Sequence, residues 1–93
     1  MVRIGFIGCG THATQNLYPS LRYADCELVA AADPVEDRRL YVQRHFGAGK
    51  VYDDYKSMLE ETQLDAVIVC GPAALHEKAG LAALRRKLPV LVE

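Results

Sequence analysis

The sequence predicts an α/β domain built on a doubly wound parallel sheet, and three observations carry that prediction. Five short apolar runs alternate with four helix-like stretches along the 93 residues. The fourth run, Ala66-Val67-Ile68-Val69, is apolar on both faces, as a central parallel strand covered by helices on both sides requires. A Gly-x-Gly turn separates the first run from the first helical stretch. A βαβαβαβαβ pattern demands parallel strands and right-handed crossovers. The expected strand order is 3-2-1-4-5, with a crevice at the carboxyl edge where the order reverses.

Val2 to Ile7 is the first strand, ending at Gly8. Thr11 to about Tyr23 is a helical stretch with Leu17 and Leu21 on one face; Pro19, which has no backbone N–H, should kink it or end its regular part. Glu27 to Ala32 is the second strand. Asp33-Pro34 then reads as a helix start, Asp as N-cap and Pro at the first helical position. That helix carries Val35, Leu40, Val42 and Phe46 and stops at Gly47. Its Glu36-Asp37-Arg38-Arg39 run reads as solvated first turns, acids first as the helix dipole prefers. Val51-Tyr52 is a short third strand, and Asp53 or Asp54 caps a brief helix with Tyr55, Met58 and Leu59. Leu64 to Cys70 is the fourth strand, broken by Gly71-Pro72. Ala74 to Leu88 is an alanine-rich helix, and Pro89 to Val92 the last strand. The five tyrosines are spread out and read as packing residues at helix–sheet margins.

Composition narrows the function classes. Eleven Lys plus Arg against twelve Asp plus Glu leave a net charge of −1. A non-specific grip on nucleic acid or anionic membrane needs clustered positive charge, so neither is expected as a partner. No apolar run approaches the ~20 residues of a membrane span. Cys9, Cys26 and Cys70 are odd in number and widely spaced, which excludes a disulfide framework and points to a reducing, cytoplasmic setting. No His and Cys spacing suits zinc, so no metal is expected.

Gly8-Cys9-Gly10-Thr11-His12-Ala13 is a G-x-G-x-x-A form of the dinucleotide fingerprint. Gly8 permits the tight strand-to-helix turn, Gly10 lets backbone approach a diphosphate, and Ala13 is small enough for helix and strand to pack closely. The amides of Gly10, Thr11, His12 and Ala13 should face the anion at a helix N-terminus. His12 either donates its ring to the diphosphate or contributes only its amide. Asp33 ends the second strand, where a carboxylate accepts both ribose hydroxyls of adenosine. That charge repels a 2′-phosphate and favours NAD, whereas Arg38 or Arg39 reaching from the helix would admit NADP. Fold and fingerprint together describe a Rossmann-type domain. A phosphoacceptor receiver domain, which shares the alternating layout, needs acids where Gly8-Cys9-Gly10 stands.

The whole chain resembles the N-terminal domain of the glucose–fructose oxidoreductase and inositol dehydrogenase (Gfo/Idh/MocA) family. The likeness runs from Ile4-Gly5-Phe6-Ile7-Gly8-Cys9-Gly10 through Leu28-Val29-Ala30-Ala31-Ala32-Asp33 and Val67-Ile68-Val69-Cys70-Gly71-Pro72 to Pro89-Val90-Leu91-Val92-Glu93. The family's Thr-Pro-Asn-x-x-His motif is matched at Pro72 and His76. Gly71 and Ala73 replace its threonine and asparagine, leaving only backbone to make contacts there. The resemblance implies that Cys70, Gly71, Pro72 and His76 line the nicotinamide half of the cofactor, His76 either through its ring or only by stabilising the helix start. It also implies that Glu93 approaches the nicotinamide ribose. Family members continue with Glu-Lys-Pro, the lysine polarising the substrate oxygen, and with a second, substrate-binding domain; the chain ends at Glu93. The implied reading is therefore residues 1–93 as the partial cofactor domain of an NAD(P)-dependent oxidoreductase that moves hydride to or from a hydroxyl-bearing, sugar- or polyol-like small molecule. No catalytic residue is expected within it, and the piece alone should be inactive. The alternative is a regulatory module that senses a nucleotide without chemistry. The last strand, flanked by further strands in a full domain, becomes an apolar sheet edge here, which predicts self-association or a frayed end.

Overall fold

The computed structural model describes residues 1–93. The apolar runs form strands β1 (Val2–Ile7), β2 (Cys26–Ala32), β3 (Lys50–Tyr52), β4 (Ala66–Val69) and β5 (Val90–Val92). All pair in parallel, in the order β3-β2-β1-β4-β5. This is the strand order the sequence predicts. The crossovers carry helices α1 (Glu36–Phe46), α2 (Tyr55–Glu61) and α3 (Ala73–Arg85).

Side chains alternate across the sheet, so neighbouring residues of one strand enter opposite cores. From β1, Phe6 packs with Cys9, Tyr18, Ala31 and Val42 under α1 and the first helical stretch. Its neighbour Ile7 packs with Met58, Val67, Val69 and Ala79 under α2 and α3. Phe6, Val42, Met58 and Val67 are fully buried. Burying such side chains contributes roughly 1.5–3 kcal/mol each relative to leaving them exposed.

Several boundaries differ from the sequence expectation. The stretch after the glycine turn is a π-helical turn (Ala13–Leu17) followed by a 3-10 turn (Pro19–Tyr23). Pro19 ends the regular part, as its missing N–H dictates. Asp33 is not the N-cap of α1, nor Pro34 its first residue: the helix begins at Glu36 with Val35 at the cap position. Asp33 instead closes a local turn, its Oδ1 accepting the Val35 N–H at 2.8 Å. β4 is shorter than Leu64–Cys70, running only from Ala66 to Val69; the Leu64 side chain fills the space above Gly5, where a Cβ would lie 2.5 Å from the Leu64 Cδ1. α3 ends at Arg85; the following turn puts Lys87 at φ 61 and returns the Leu88 N–H to the Ala83 carbonyl.

The tyrosines do not share one environment. Tyr18 is core, whereas Tyr23 is 93% exposed. Other punctuation holds. α1 stops at Gly47, whose φ of 74° is left-handed, and Asp54 caps α2 by accepting the Lys56 N–H at 2.8 Å. β5 is paired to its end, the Glu93 N–H donating to the Val69 carbonyl at 2.9 Å. Its Leu91 and Val92 side chains are exposed on the outer edge. No helix is long and apolar enough to cross a membrane.

Candidate dinucleotide site

The carboxyl ends of β1, β2 and β4 converge where the strand order reverses, and a cleft of about 620 Å³ opens there. The glycine turn forms its floor. Gly8 has φ 111°, and a Cβ on it would collide with the Cys70 carbonyl oxygen, so no side chain fits where the ends of β1 and β4 touch. Its N–H donates to the Ala32 carbonyl at 2.8 Å, which ties the turn to β2. Gly10 is different: its φ is ordinary, and a Cβ there would meet nothing nearer than Arg38 Nη1 at 4.0 Å. Bare main chain therefore faces open cleft. The amides of Gly10, Thr11, His12 and Ala13 donate to no protein acceptor. They are the unsatisfied first donors of a helical stretch, the arrangement that suits an anion.

Asp33 is buried, 7% exposed, yet lines the same cleft. Its Oδ2 accepts the Cys9 N–H at 2.8 Å and its Oδ1 the Val35 N–H. A carboxylate offers about four acceptor positions, so two lone pairs stay available. The two arginines separate cleanly. Arg39 is bound to the backbone, its Nη1 donating to the carbonyls of Asp33 and Pro34, and it pairs with Glu36 at 3.7 Å. Arg38 makes no ion pair and lines the cleft beside Gly10.

Ten of the twelve residues singled out from the sequence line this one cleft: Gly8, Gly10, Thr11, His12 and Ala13 from the turn, Asp33 and Arg38 from β2–α1, and Cys70, Gly71 and Pro72 after β4. His76 and Glu93 stand outside its lining. The His76 ring accepts the Gly71 N–H at 3.3 Å, closing the β4–α3 turn. The Glu93 Oε1 lies 4.0 Å from the His12 Nε2, bridging the end of β5 and the glycine turn. Sequence reasoning did not place Asp53, Asp54 and Tyr55 in the cleft wall, where they stand. Their signal was available: they follow β3, and residues after parallel strands all gather at the carboxyl edge.

Two thiols belong to this region: Cys70 lines the cleft, and Cys9 is buried outside its lining. Burial pushes the Cys9 thiol up to about 11, and burial together with the nearby Glu93 charge raises that of Cys70. All three cysteines are free thiols, and no His, Cys, Asp and Glu cluster could hold a metal ion.

Residues 2–93 match the model of an oxidoreductase family with an NAD-binding Rossmann fold. The chain belongs to that family. It is 32% identical to a myo-inositol 2-dehydrogenase from Thermotoga maritima over 99% of its own length and 28% of the relative's. A dehydrogenase from Chromobacterium violaceum superposes with a TM-score of 0.92 at 35% identity, covering 99% of this chain and 27% of that one. A mutant of a 3-ketoreductase from Actinomadura kijaniata, crystallised with TDP-benzene and NADP, superposes with a TM-score of 0.88 at 35% identity over 98% of this chain and 29% of its own. The chain thus spans little more than a quarter of the relatives it matches. The bare main chain at Gly10, the unpaired amides and the inward-facing Asp33 fit a dinucleotide.

Proposed function

We propose that residues 1–93 are the cofactor-binding half of an NAD(P)-dependent oxidoreductase that moves hydride between the nicotinamide and a hydroxyl-bearing, sugar- or polyol-like substrate. The observation that carries this reading is one cleft holding both the free amides of Gly10 to Ala13 and the carboxylate of Asp33. In this reading the amides bind the diphosphate and Asp33 accepts from the adenosine ribose. Cys70, Gly71 and Pro72 line the approach to the nicotinamide, with His76 holding the Gly71 amide in place. Glu93 and His12 close the side nearest β5. The cofactor supplies the hydride chemistry; these residues orient it and set the local field.

NAD is the preferred ligand. Asp33, Asp53 and Asp54 place three carboxylates on the wall around the ribose position, against the single free guanidinium of Arg38. A 2′-phosphate would meet net repulsion, reduced by Arg38 enough to admit NADP as the weaker ligand. In this reading substrate contacts and proton transfer come from residues outside these 93, and the names of two relatives, a myo-inositol 2-dehydrogenase and a dTDP-3,4-didehydro-2,6-dideoxy-alpha-D-glucose 3-reductase, support the substrate class.

Isothermal titration of the folded 93-residue chain with NAD and with NADP tests this. Saturable binding with NAD tighter is expected, and Asp33→Ala should weaken NAD more than NADP. A folded sample that binds neither overturns the proposal.

A further inference from the structure

The glycine turn is held from beneath by a residue that no fingerprint contains. Tyr18 is 1% exposed, and its phenol donates to the Gly8 carbonyl at 3.1 Å, with the Cys9 Sγ 3.5 Å away. Its ring is fixed between two others: Phe6 stacks on it at 3.9 Å between centroids and Phe46 at 5.3 Å. Nothing else in the chain donates to that carbonyl. The helical irregularity is what brings the phenol there. The Tyr18 N–H pairs with the Ala13 carbonyl, five residues back, at 2.9 Å, closing a π turn. An uninterrupted α-helix would pair it with Thr14 and turn the ring by about 100° per residue of shift, away from Gly8. Single π turns concentrate at functional sites, and here the extra residue is spent on aiming one hydroxyl.

Gly8 is where that hydroxyl has most leverage. Its left-handed backbone decides the direction in which the next amides point, and its N–H is already fixed to β2. With the carbonyl also fixed, both peptide groups flanking the φ 111° residue are anchored, and the amides of Gly10 to Ala13 present a set geometry. Burial raises the Tyr18 phenol far above its usual range, so it stays a donor at every working pH.

We infer that Tyr18 is a positioning residue for dinucleotide binding, acting through its bond to the Gly8 carbonyl without touching the ligand. This rests on the cofactor reading above. Tyr18→Phe keeps the stacked ring and removes only the hydroxyl. Titration calorimetry at a temperature where the variant is fully folded should show NAD affinity reduced about tenfold or more, with NADP reduced by the same factor because the diphosphate is common to both. Met58→Ala, buried on the opposite sheet face, is the comparison: it lowers the melting temperature and leaves the affinity within about twofold. If Tyr18→Phe melts lower but binds NAD like the unaltered chain, Tyr18 is a packing residue and the inference fails. A second measurement needs no loss of the hydroxyl. With 3-fluorotyrosine placed at position 18, its fluorine resonance should move during NAD titration and saturate with the binding isotherm; a resonance unmoved at saturation overturns the inference. Failure of the unaltered chain to bind NAD would instead strike the cofactor reading.

Discussion

Two glycines two residues apart should respond to the same substitution in opposite ways. At Gly10 the backbone is in an ordinary region, and an added Cβ would find open space up to Arg38 Nη1 at 4.0 Å. Gly10→Ala should therefore fold as well as the unaltered chain, or gain about 0.4–1 kcal/mol because alanine restricts the unfolded chain. On the proposed reading, however, the new methyl occupies the space through which a diphosphate reaches the amides. Losing one charge-assisted hydrogen bond costs about 1.5–3 kcal/mol, which is roughly a 10- to 150-fold weaker NAD affinity. At Gly8 the left-handed φ and the collision with the Cys70 carbonyl act on the fold itself. Gly8→Ala should lose about 3 kcal/mol or more, roughly 12–24 °C in Tm for a domain this size. Thermal melts and NAD titration of both variants separate the effects. A Gly10→Ala chain that binds NAD normally, or that melts as early as Gly8→Ala, would refute the reasoning.

Further consequences are open to measurement. With its thiol at about 11, only about one Cys9 in a thousand is thiolate at pH 8, so iodoacetamide should alkylate Cys26 well before Cys9 in the folded chain; equal rates by peptide mass spectrometry would contradict the burial argument. The raised Cys9 value has a definite sign: the folded state resists ionisation that the unfolded chain undergoes near 9, so the Cys9 contribution to stability is complete below that pH and falls as pH rises toward about 11, by at most about 2–3 kcal/mol, a share that denaturant melts of Cys9→Ala against the unaltered chain isolate. Asp54→Ala removes the cap that accepts the Lys56 N–H and should cost about 1 kcal/mol, seen as a Tm lower by about 4–8 °C. The outer edge of β5, with Leu91 61% exposed, should pair with a second copy at high concentration; sedimentation should show Leu91→Lys reducing that association, and a monomeric unaltered chain would refute it.

What was legible in the sequence was whatever depends on local pattern. Ala66-Val67-Ile68-Val69 announces a strand covered on both faces, Gly47 a left-handed helix stop and Asp54 a cap, and each is so placed. Alternation and crossover handedness implied a parallel doubly wound sheet, and the dinucleotide-binding arrangement supplied the order of its strands. What pattern could not show depends on distant partners. A one-residue π insertion leaves no mark on apolar spacing, so Tyr18 read as a marginal packing residue when it is a core residue aimed at Gly8. The start of the fourth strand was misjudged: Leu64 lies outside it, its side chain packed against Gly5, far away in sequence. His76 matched a motif, but which of its neighbours it holds is settled by the turn geometry at Gly71.

Asp33 shows why the two kinds of information must be combined. Local rules make it a helix cap and the fingerprint makes it a ribose acceptor, whereas the structure makes it a joint: one oxygen holds the Cys9 amide of the glycine turn, the other the Val35 amide leading into α1. Removing the carboxylate therefore disturbs two things at once. The turn loses an anchor, which should weaken NAD and NADP by a common factor, and on the proposed reading the ribose also loses its acceptor while the barrier to a 2′-phosphate falls. Only the ratio of the two affinities reports on the ribose. Asp33→Ala should accordingly lower NAD affinity by the product of both effects and shift the NAD-to-NADP preference toward NADP by about tenfold, the worth of roughly one hydrogen bond. A common loss with an unchanged ratio would mean that the acid serves the turn alone, and that Arg38 and the carboxylates after β3 set the choice of cofactor.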